Sequence, residues 1–372
     1  MPVVAAPVRR PRAGRHGPRA RSKGEAMKAG VFTTPGIVEV REWPEPIVGL
    51  GQVKVKIAYT GLCGSDVEAL HRRHGYQPIG FKTDGSGPRP EGPELRGHEA
   101  TGTIVEVGPQ LKGDWRVGQR VVLSLRAACG VCYYCRIKRE HFCEHVSVPA
   151  GAFAEYGTFP EGTLFALPED VSFELAALTE PTSIAVHAVD LAGTLNGQTL
   201  AIVGGGTIGL LTLAVALRAG ACKVLVSEPV ARKREMALRM GADMVVDPST
   251  EDLDAAAAKL TDGRGFDAVI EASGSLRAAE QTLQMVGKGG TVVWVSLHSY
   301  DEEVPVKPFE MYLKELTVRS TYLAPYCFGR ALALLPGLNV GSLITNIYPL
   351  DELAEAFKNH EKGESIKTLV RM

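Results

Sequence analysis

Three short segments of this 372-residue chain carry side chains able to hold a metal ion or move a proton. Gly61-Leu62-Cys63-Gly64-Ser65-Asp66 offers a thiol, Gly97-His98-Glu99 an imidazole and a carboxylate, and Thr179-Glu180-Pro181 a second carboxylate. Thiolate, imidazole and carboxylate together make a three-ligand zinc site whose fourth position stays open to water or substrate, as metal-assisted chemistry requires. Taken singly, Cys63 also reads as a buried apolar residue and His98 as a hydrogen-bonded core histidine; the combination favours a metal. A second group, Cys129, Cys132, Cys135 and Cys143, has the spacing C-x2-C-x2-C-x7-C. Thiolates two residues apart can turn inward on one tetrahedral ion, whereas disulfides between such near neighbours would close strained, tiny loops. Four thiolates leave no open position, so a zinc ion there would staple a lobe; an iron–sulfur cluster and redox thiols are the alternatives. Cys222 and Cys327 read as ordinary small apolar residues.

A third constellation addresses a nucleotide. Gln198 to Val203 reads as a strand, Gly204-Gly205-Gly206-Thr207-Ile208-Gly209 fits G-x-G-x-x-G, and an apolar helix follows to about Ala219. In that context one glycine turns the chain, one admits a pyrophosphate and one lets helix approach strand, with the phosphates on the helix N-terminus. A glycine-rich structural turn is the alternative. The next strand, Lys223 to Ser227, ends at Glu228, an acid placed to accept from the ribose hydroxyls and to repel a ribose phosphate. NAD is therefore expected over NADP, although Arg232, Lys233 and Arg234 lie close behind and offset part of that charge.

The elements that position these groups fall into two patterns. From Lys28 to about Phe165, short β-branched runs (Val38–Val40, Gln52–Ile57, Ala100–Val107, Val117–Leu123) alternate with Gly/Pro breaks, which predicts a small β-rich domain. Residues 71–96, rich in Pro and Gly, read as a long surface loop. From Phe173 onward a helix over Thr179–Leu191 precedes regular strand–turn–helix units, including strands at Phe266–Glu271 and Gly289–Val295, the mark of a parallel sheet. The loops Ala272–Gly274 and Ser296–His298 should line a cofactor cleft. His187 and the amphipathic stretch 351–358 read as structural.

Length suits two or three domains, and no apolar run reaches the roughly 18 residues of a membrane helix. The net charge of −1 conceals an asymmetry: the first 26 residues hold seven Lys/Arg and one acid, leaving 34 basic and 41 acidic side chains in the remainder. That acidic remainder argues against a nucleic-acid partner. The tail lacks any apolar periodicity and reads as disordered; it lacks the apolar core of a secretory signal, a transit peptide is the alternative, and Met27 is a second possible start. With no export signal, the cytoplasm is the expected compartment.

Taken in order and at these separations, the elements resemble the zinc-containing medium-chain alcohol and polyol dehydrogenases, the family of sorbitol, butanediol and threonine dehydrogenases, over residues 27–372. The resemblance implies an α/β chain: a β-rich GroES-like catalytic domain (27–181 and 320–372) interrupted by a Rossmann domain with a doubly wound parallel sheet (182–319), behind the basic tail 1–26. It implies that Cys63 and His98 hold a catalytic zinc, with Glu99 or Glu180 as third ligand because relatives use either, and that the four-cysteine group holds a structural zinc. Ser65 would relay the substrate's proton and Asp66 would accept the N–H of His98, with turn capping the alternative for both. Gly204, Gly206, Thr207, Ile208, Gly209, Glu228 and Lys233 would contact the cofactor. The implied activity is NAD-linked, zinc-dependent oxidation of a secondary alcohol, diol or polyol to the ketone, by a homodimer or homotetramer acting on a small molecule, with neither nucleic acid nor membrane as partner. An L-threonine 3-dehydrogenase is the alternative, and a non-catalytic, cofactor-responsive nucleic-acid-binding protein a remote one. The chain departs from the family in the length of the 71–96 loop and in Glu180-Pro181-Thr182, where Glu-Pro-Leu is commoner.

Overall fold

The computed structural model describes residues 26–33, 35–71, 93–124, 126–149, 151–298 and 302–372. The expected basic tail, apart from Ala26, and residues 72–92 of the expected loop lie outside them. Within the loop's described end, Glu94–Leu95 form a short strand against Ala26–Phe32.

One long strand organises the first half. Gln52–Leu62 buries Val53, Val55 and Ile57 at alternate positions, the spacing that turns one face of a strand inward. Its first half pairs antiparallel with Tyr156–Pro160 and its second half with Lys367–Arg371, while Glu99–Val107 runs along the other side. The full sheet has seven strands, in the order Ile344–Pro349, Lys367–Arg371, Gln52–Leu62, Glu99–Val107, Arg120–Ser124 and Leu164–Ala166, with Tyr156–Pro160 off that path. Its interior is Val53, Val55, Ile57, Ile104, Val121, Leu123 and Phe159, each such side chain contributing about 1.5–3 kcal/mol by leaving water. The last strand of the chain is thus inserted beside the strand that leads to Cys63.

The second sheet has six strands, all parallel, in the order Met244–Val246, Lys223–Ser227, Thr199–Val203, Phe266–Glu271, Val286–Trp294 and Thr317–Ser320. In chain order that is 3-2-1-4-5-6, the Rossmann order, which places a crevice beyond the C-terminal end of the first strand where the winding direction reverses. Helices Thr179–Ala192 and Thr207–Arg218 pack on one face through residues such as Val186, Leu210 and Leu213. Leu253–Thr261 and Leu276–Met285 cover the other through Leu253, Ala278 and Met285.

Candidate active site

Strand register brings the first cluster together. In the pairing of Gln52–Leu62 with Glu99–Val107, Gly61 lies opposite Glu99, and in the pairing with Lys367–Arg371, Leu62 lies opposite Thr368. Cys63 therefore leaves the end of one strand just where His98 enters its neighbour. Donor atoms of Cys63, His98 and Glu99 all lie within 4.8 Å of one another. A soft thiolate, an imidazole and a carboxylate at that spacing fit a tetrahedral zinc with one position left over.

Around these three the polar groups are arranged in pairs. Asp66, 3% exposed in the helix Gly64–His71, accepts from Cys63 N at 3.1 Å through Oδ2 and sets Oδ1 3.3 Å from His98 Nδ1. Burial opposes the Asp66 charge, yet the His98 ring and the Cys63 N–H hold its carboxyl below the usual range. Glu99 and Lys367 are each 1% exposed and form an ion pair, and Lys367 Nζ also donates to Leu62 O at 3.0 Å. A Cβ on Gly61 would come within 1.9 Å of Glu99 Oε2, so glycine there leaves the room in which the pair sits. Glu180 occupies the first turn of Thr179–Ala192 and lines a cavity of about 570 Å3 with His98. Burial pushes its carboxyl up to about 7, with Glu99 adding to the rise and His98 opposing it. Glu180 is not within the 4.8 Å group. Ser65 is half-buried, two residues from Cys63.

The four-cysteine lobe projects between Arg120–Ser124 and Tyr156–Pro160. All four sulfurs lie within 4.8 Å of one another; two pairs, Cys129 with Cys135 and Cys132 with Cys143, stand 4.0 Å apart, and no disulfide joins any of them. Backbone N–H groups point at the sulfurs, from Cys132 to Cys129 at 3.4 Å and from Cys129 and His145 to Cys143 at 3.3 and 3.4 Å. Such donors draw the Cys132 thiol down to about 6, while burial and the neighbouring thiols push Cys135 up to about 12. Four thiolates cannot share this volume without a cation, which is the condition a zinc ion satisfies. Cys327 is buried, whereas Cys222, expected to be apolar filling, is exposed and donates to Gly197 O at 3.1 Å.

At the second sheet, Gly204 to Gly209 connect Thr199–Val203 to the helix Thr207–Arg218. A Cβ on Gly209 would lie 1.8 Å from Gly204 O, while one on Gly206 would enter open space beside the turn, the cradle a pyrophosphate needs. Glu228 is 6% exposed; Oε2 accepts from Gly205 N at 2.7 Å and Oε1 from Val230 N at 2.9 Å, which holds the carboxylate against the turn. Lys233 is half-buried on the following helix, Ala231–Arg239, and Arg234 is tied to Glu228 O and to Asp247. Thr207 Oγ1 donates to Ile366 O, linking the turn to the returning C-terminal segment. The loops expected to line the cleft meet through Glu271: its Oε1 accepts from Ser273, Gly274 and Ser296, and Gly274 N donates to Ser296 Oγ. Lys367 and Arg126, both at the site, escape sequence reasoning. Neither carries a motif: Lys367 meets Glu99 and Leu62 from the far end of the chain, and Arg126 is set between His141 O and the Tyr322 ring only by the fold.

A family model described as "Zinc-binding dehydrogenase" matches residues 207–335, and one described as "Alcohol dehydrogenase GroES-like domain" matches residues 49–169. L-Threonine 3-dehydrogenase of Pyrococcus horikoshii is 34% identical over 93% of this chain and 98% of its own length. Sorbitol dehydrogenase of Halalkalibacterium halodurans is 33% identical over 92% of this chain and 99% of its own. A solved structure from Sinorhizobium meliloti, described as a zinc-binding dehydrogenase bound to NADP, superposes with a TM-score of 0.85 at 31% identity, covering 94% of this chain and all of the other. With its Rossmann sheet, its GroES-like sheet and these relatives along almost its whole length, the chain belongs to the zinc-containing medium-chain alcohol and polyol dehydrogenases, oxidoreductases that act on CH–OH groups.

Proposed function

We propose that this enzyme oxidises a secondary alcohol, diol or polyol to the ketone with NAD, using one catalytic and one structural zinc. The observation that carries the reading is the three-donor group Cys63, His98 and Glu99 lining up at the end of paired strands, linked to a dinucleotide-type glycine turn through Ile366, which accepts from Thr207, and Lys367, which pairs with Glu99. Bound at these positions, zinc supplies polarisation of the substrate hydroxyl and the nicotinamide supplies the hydride acceptor. The rest falls to the chain itself. Cys63, His98 and Glu99 hold the ion, with Glu180 as the alternative carboxylate at the cavity wall. Asp66 accepts from His98 Nδ1 and so keeps Nε2 free for the ion. Ser65 Oγ receives the hydroxyl proton and passes it outward. Lys367 balances Glu99 from behind. Cys129, Cys132, Cys135 and Cys143 hold the structural ion.

On the cofactor side, Gly204, Gly206, Thr207, Ile208 and Gly209 take the pyrophosphate at the helix N-terminus, and Glu228 and Lys233 flank the adenosine ribose. The buried Glu228 carboxylate beside the turn supports NAD over NADP, since a ribose phosphate would meet its charge. The accompanying division of labour is a catalytic domain of residues 27–181 and 320–372 around a cofactor domain of residues 182–319, in a cytoplasmic homodimer or homotetramer with no nucleic-acid partner. A second reading, oxidation of L-threonine at its 3-hydroxyl, is favoured by the 34% identity to the Pyrococcus horikoshii enzyme. The test is a panel of polyols, diols, simple secondary alcohols and L-threonine followed by NADH absorbance, with zinc measured on the same sample. NADH formation that disappears in Cys63→Ser supports the reading. A two-zinc protein that reduces no NAD across the panel overturns it, and activity on L-threonine alone selects the second reading.

A further inference from the structure

The cavity beside Cys63, His98 and Glu99 contains a cation with no part in the chemistry described above. Arg126 follows the strand Arg120–Ser124 and precedes the four-cysteine lobe, and it lines the same cavity of about 570 Å3 as His98 and Glu180. One guanidinium nitrogen, Nη2, donates to His141 O at 2.9 Å, which fixes the side chain in place. Nε and Nη1 are shut off from solvent and have no acceptor among the described residues. The ring of Tyr322, 5.9 Å from Cζ, gives a cation–π contact but no acceptor. Of the two carboxylates that line the cavity among the described residues, Glu140 accepts from Tyr326 N at 3.4 Å and Glu180 lies beside His98; neither pairs with Arg126.

A guanidinium withdrawn from water with idle N–H groups is costly, and the cost disappears when a ligand brings both acceptor and negative charge. Carboxylate and phosphate oxygens match arginine donors in geometry and charge; the hydroxyls of a neutral polyol bring weak acceptors and no charge. We propose that Arg126 binds an anionic group, a carboxylate or a phosphate monoester, carried by the alcohol that the enzyme oxidises. The substrate class is then hydroxy acids or polyol phosphates, and Arg126 is a specificity-determining residue. This rests on the alcohol-oxidation reading above and narrows it.

The test uses the zinc-loaded full-length protein and a matched set of sorbitol, gluconate and sorbitol 6-phosphate, with L-threonine as a carboxylate beside an ammonium group. kcat/KM comes from NADH formation; thermal shifts in the presence of NADH give a readout independent of turnover. Wild type should favour gluconate, sorbitol 6-phosphate or L-threonine over sorbitol by about tenfold or more, and the preferred compound identifies the anion. Arg126→Gln should lower the anionic-to-neutral ratio about 10- to 100-fold, mainly through KM, with Arg126→Lys retaining part of it. Because each ratio is measured on one preparation, loss of folded protein cancels. Equal losses on anionic and neutral substrates, or a wild type that favours sorbitol with a ratio unmoved by Arg126→Gln, overturns the proposal. Should wild type oxidise none of the alcohols, the alcohol-oxidation reading fails, and the thermal shifts still decide: stabilisation by the anions that Arg126→Gln abolishes supports the anion site, and equal shifts in both proteins overturn it.

Discussion

The ion pair of Lys367 and Glu99 includes one of the residues proposed to hold the catalytic metal, with both side chains almost fully withdrawn from water. Without a metal, the ammonium of Lys367 is the charge that pairs with the Glu99 carboxylate; with one, the carboxylate answers to two cations. Lys367→Met removes one partner from a buried pair, and breaking such a pair costs about 3–5 kcal/mol. The loss should fall mainly on the metal-stripped protein, so that zinc raises the melting temperature of the variant more than that of wild type. Melting curves with and without chelator measure this, and equal zinc increments in the two proteins would count against the arrangement. Residues of this kind mark the limit of what the sequence makes legible. The x2, x2, x7 spacing of the cysteines is visible because local chain geometry alone brings such sulfurs together, and their clustering within 4.8 Å follows it. Lys367 donates to a carbonyl 305 residues away, and nothing in the local run Ile366 to Arg371 distinguishes it from a lysine on a solvated strand face.

Elements were legible where one periodicity governs them. The strand Lys223–Ser227 and the helix beginning at Thr179 follow runs that are apolar for fully buried reasons, since both faces of the parallel sheet are covered. The helix Gly64–His71 was not anticipated: only eight residues long, it offers too little pattern, and it is held by Val67 and Leu70 against Phe32 and Phe153. The glycine turn works at this same scale, because it sets how closely helix Thr207–Arg218 approaches strand Thr199–Val203. Gly209→Ala puts a Cβ 1.8 Å from Gly204 O, which only a shift of the helix relieves. NADH affinity by fluorescence titration should weaken about 10- to 100-fold, the scale of losing one or two backbone contacts to phosphate; unchanged affinity would remove the turn from the cofactor site. At the end of helix Leu353–Glu361, burial first and Lys367 second push the His360 imidazole down to about 4. Its ordinary value is about 6.5, so between about pH 6.5 and 4 the unfolded chain takes up a proton that the folded one refuses. Stability from this group is therefore complete above about pH 6.5 and is lost as pH falls toward 4, at up to about 1.4 kcal/mol per unit. His360→Asn should flatten the fall in unfolding free energy between pH 7 and 5; an identical slope in both proteins would show that His360 does not contribute.

For the molecule as a whole, removing the basic tail from the count leaves an acidic body, and among the described residues no helix is long and apolar enough to cross a membrane. The contrast between the two larger sheets was legible because the switch from period-two runs to strand–helix units marks it; the return of the last two strands to the seven-stranded sheet came from the family resemblance, since Ile344–Pro349 and Lys367–Arg371 carry no label naming their partners. One surface has no cover among the described residues. Helix Pro308–Lys314 buries none of its residues and exposes Phe309, Tyr312 and Leu313, with Tyr312 76% accessible. It leads into Thr317–Ser320, the terminal strand of the six-stranded sheet, whose outer edge has no neighbour among the described residues. Apolar side chains beside an open edge favour association, and in the proposed homodimer or homotetramer a second copy related by a two-fold axis would cover both at once. Light scattering on wild type should then give a multiple of the 39.8 kDa chain mass. Phe309→Glu with Tyr312→Glu places two charges where each would be desolvated in such an interface, and should reduce that mass while leaving the four-cysteine zinc in place. A monomeric wild type, or a double variant of undiminished mass, would show that this helix and edge face solvent.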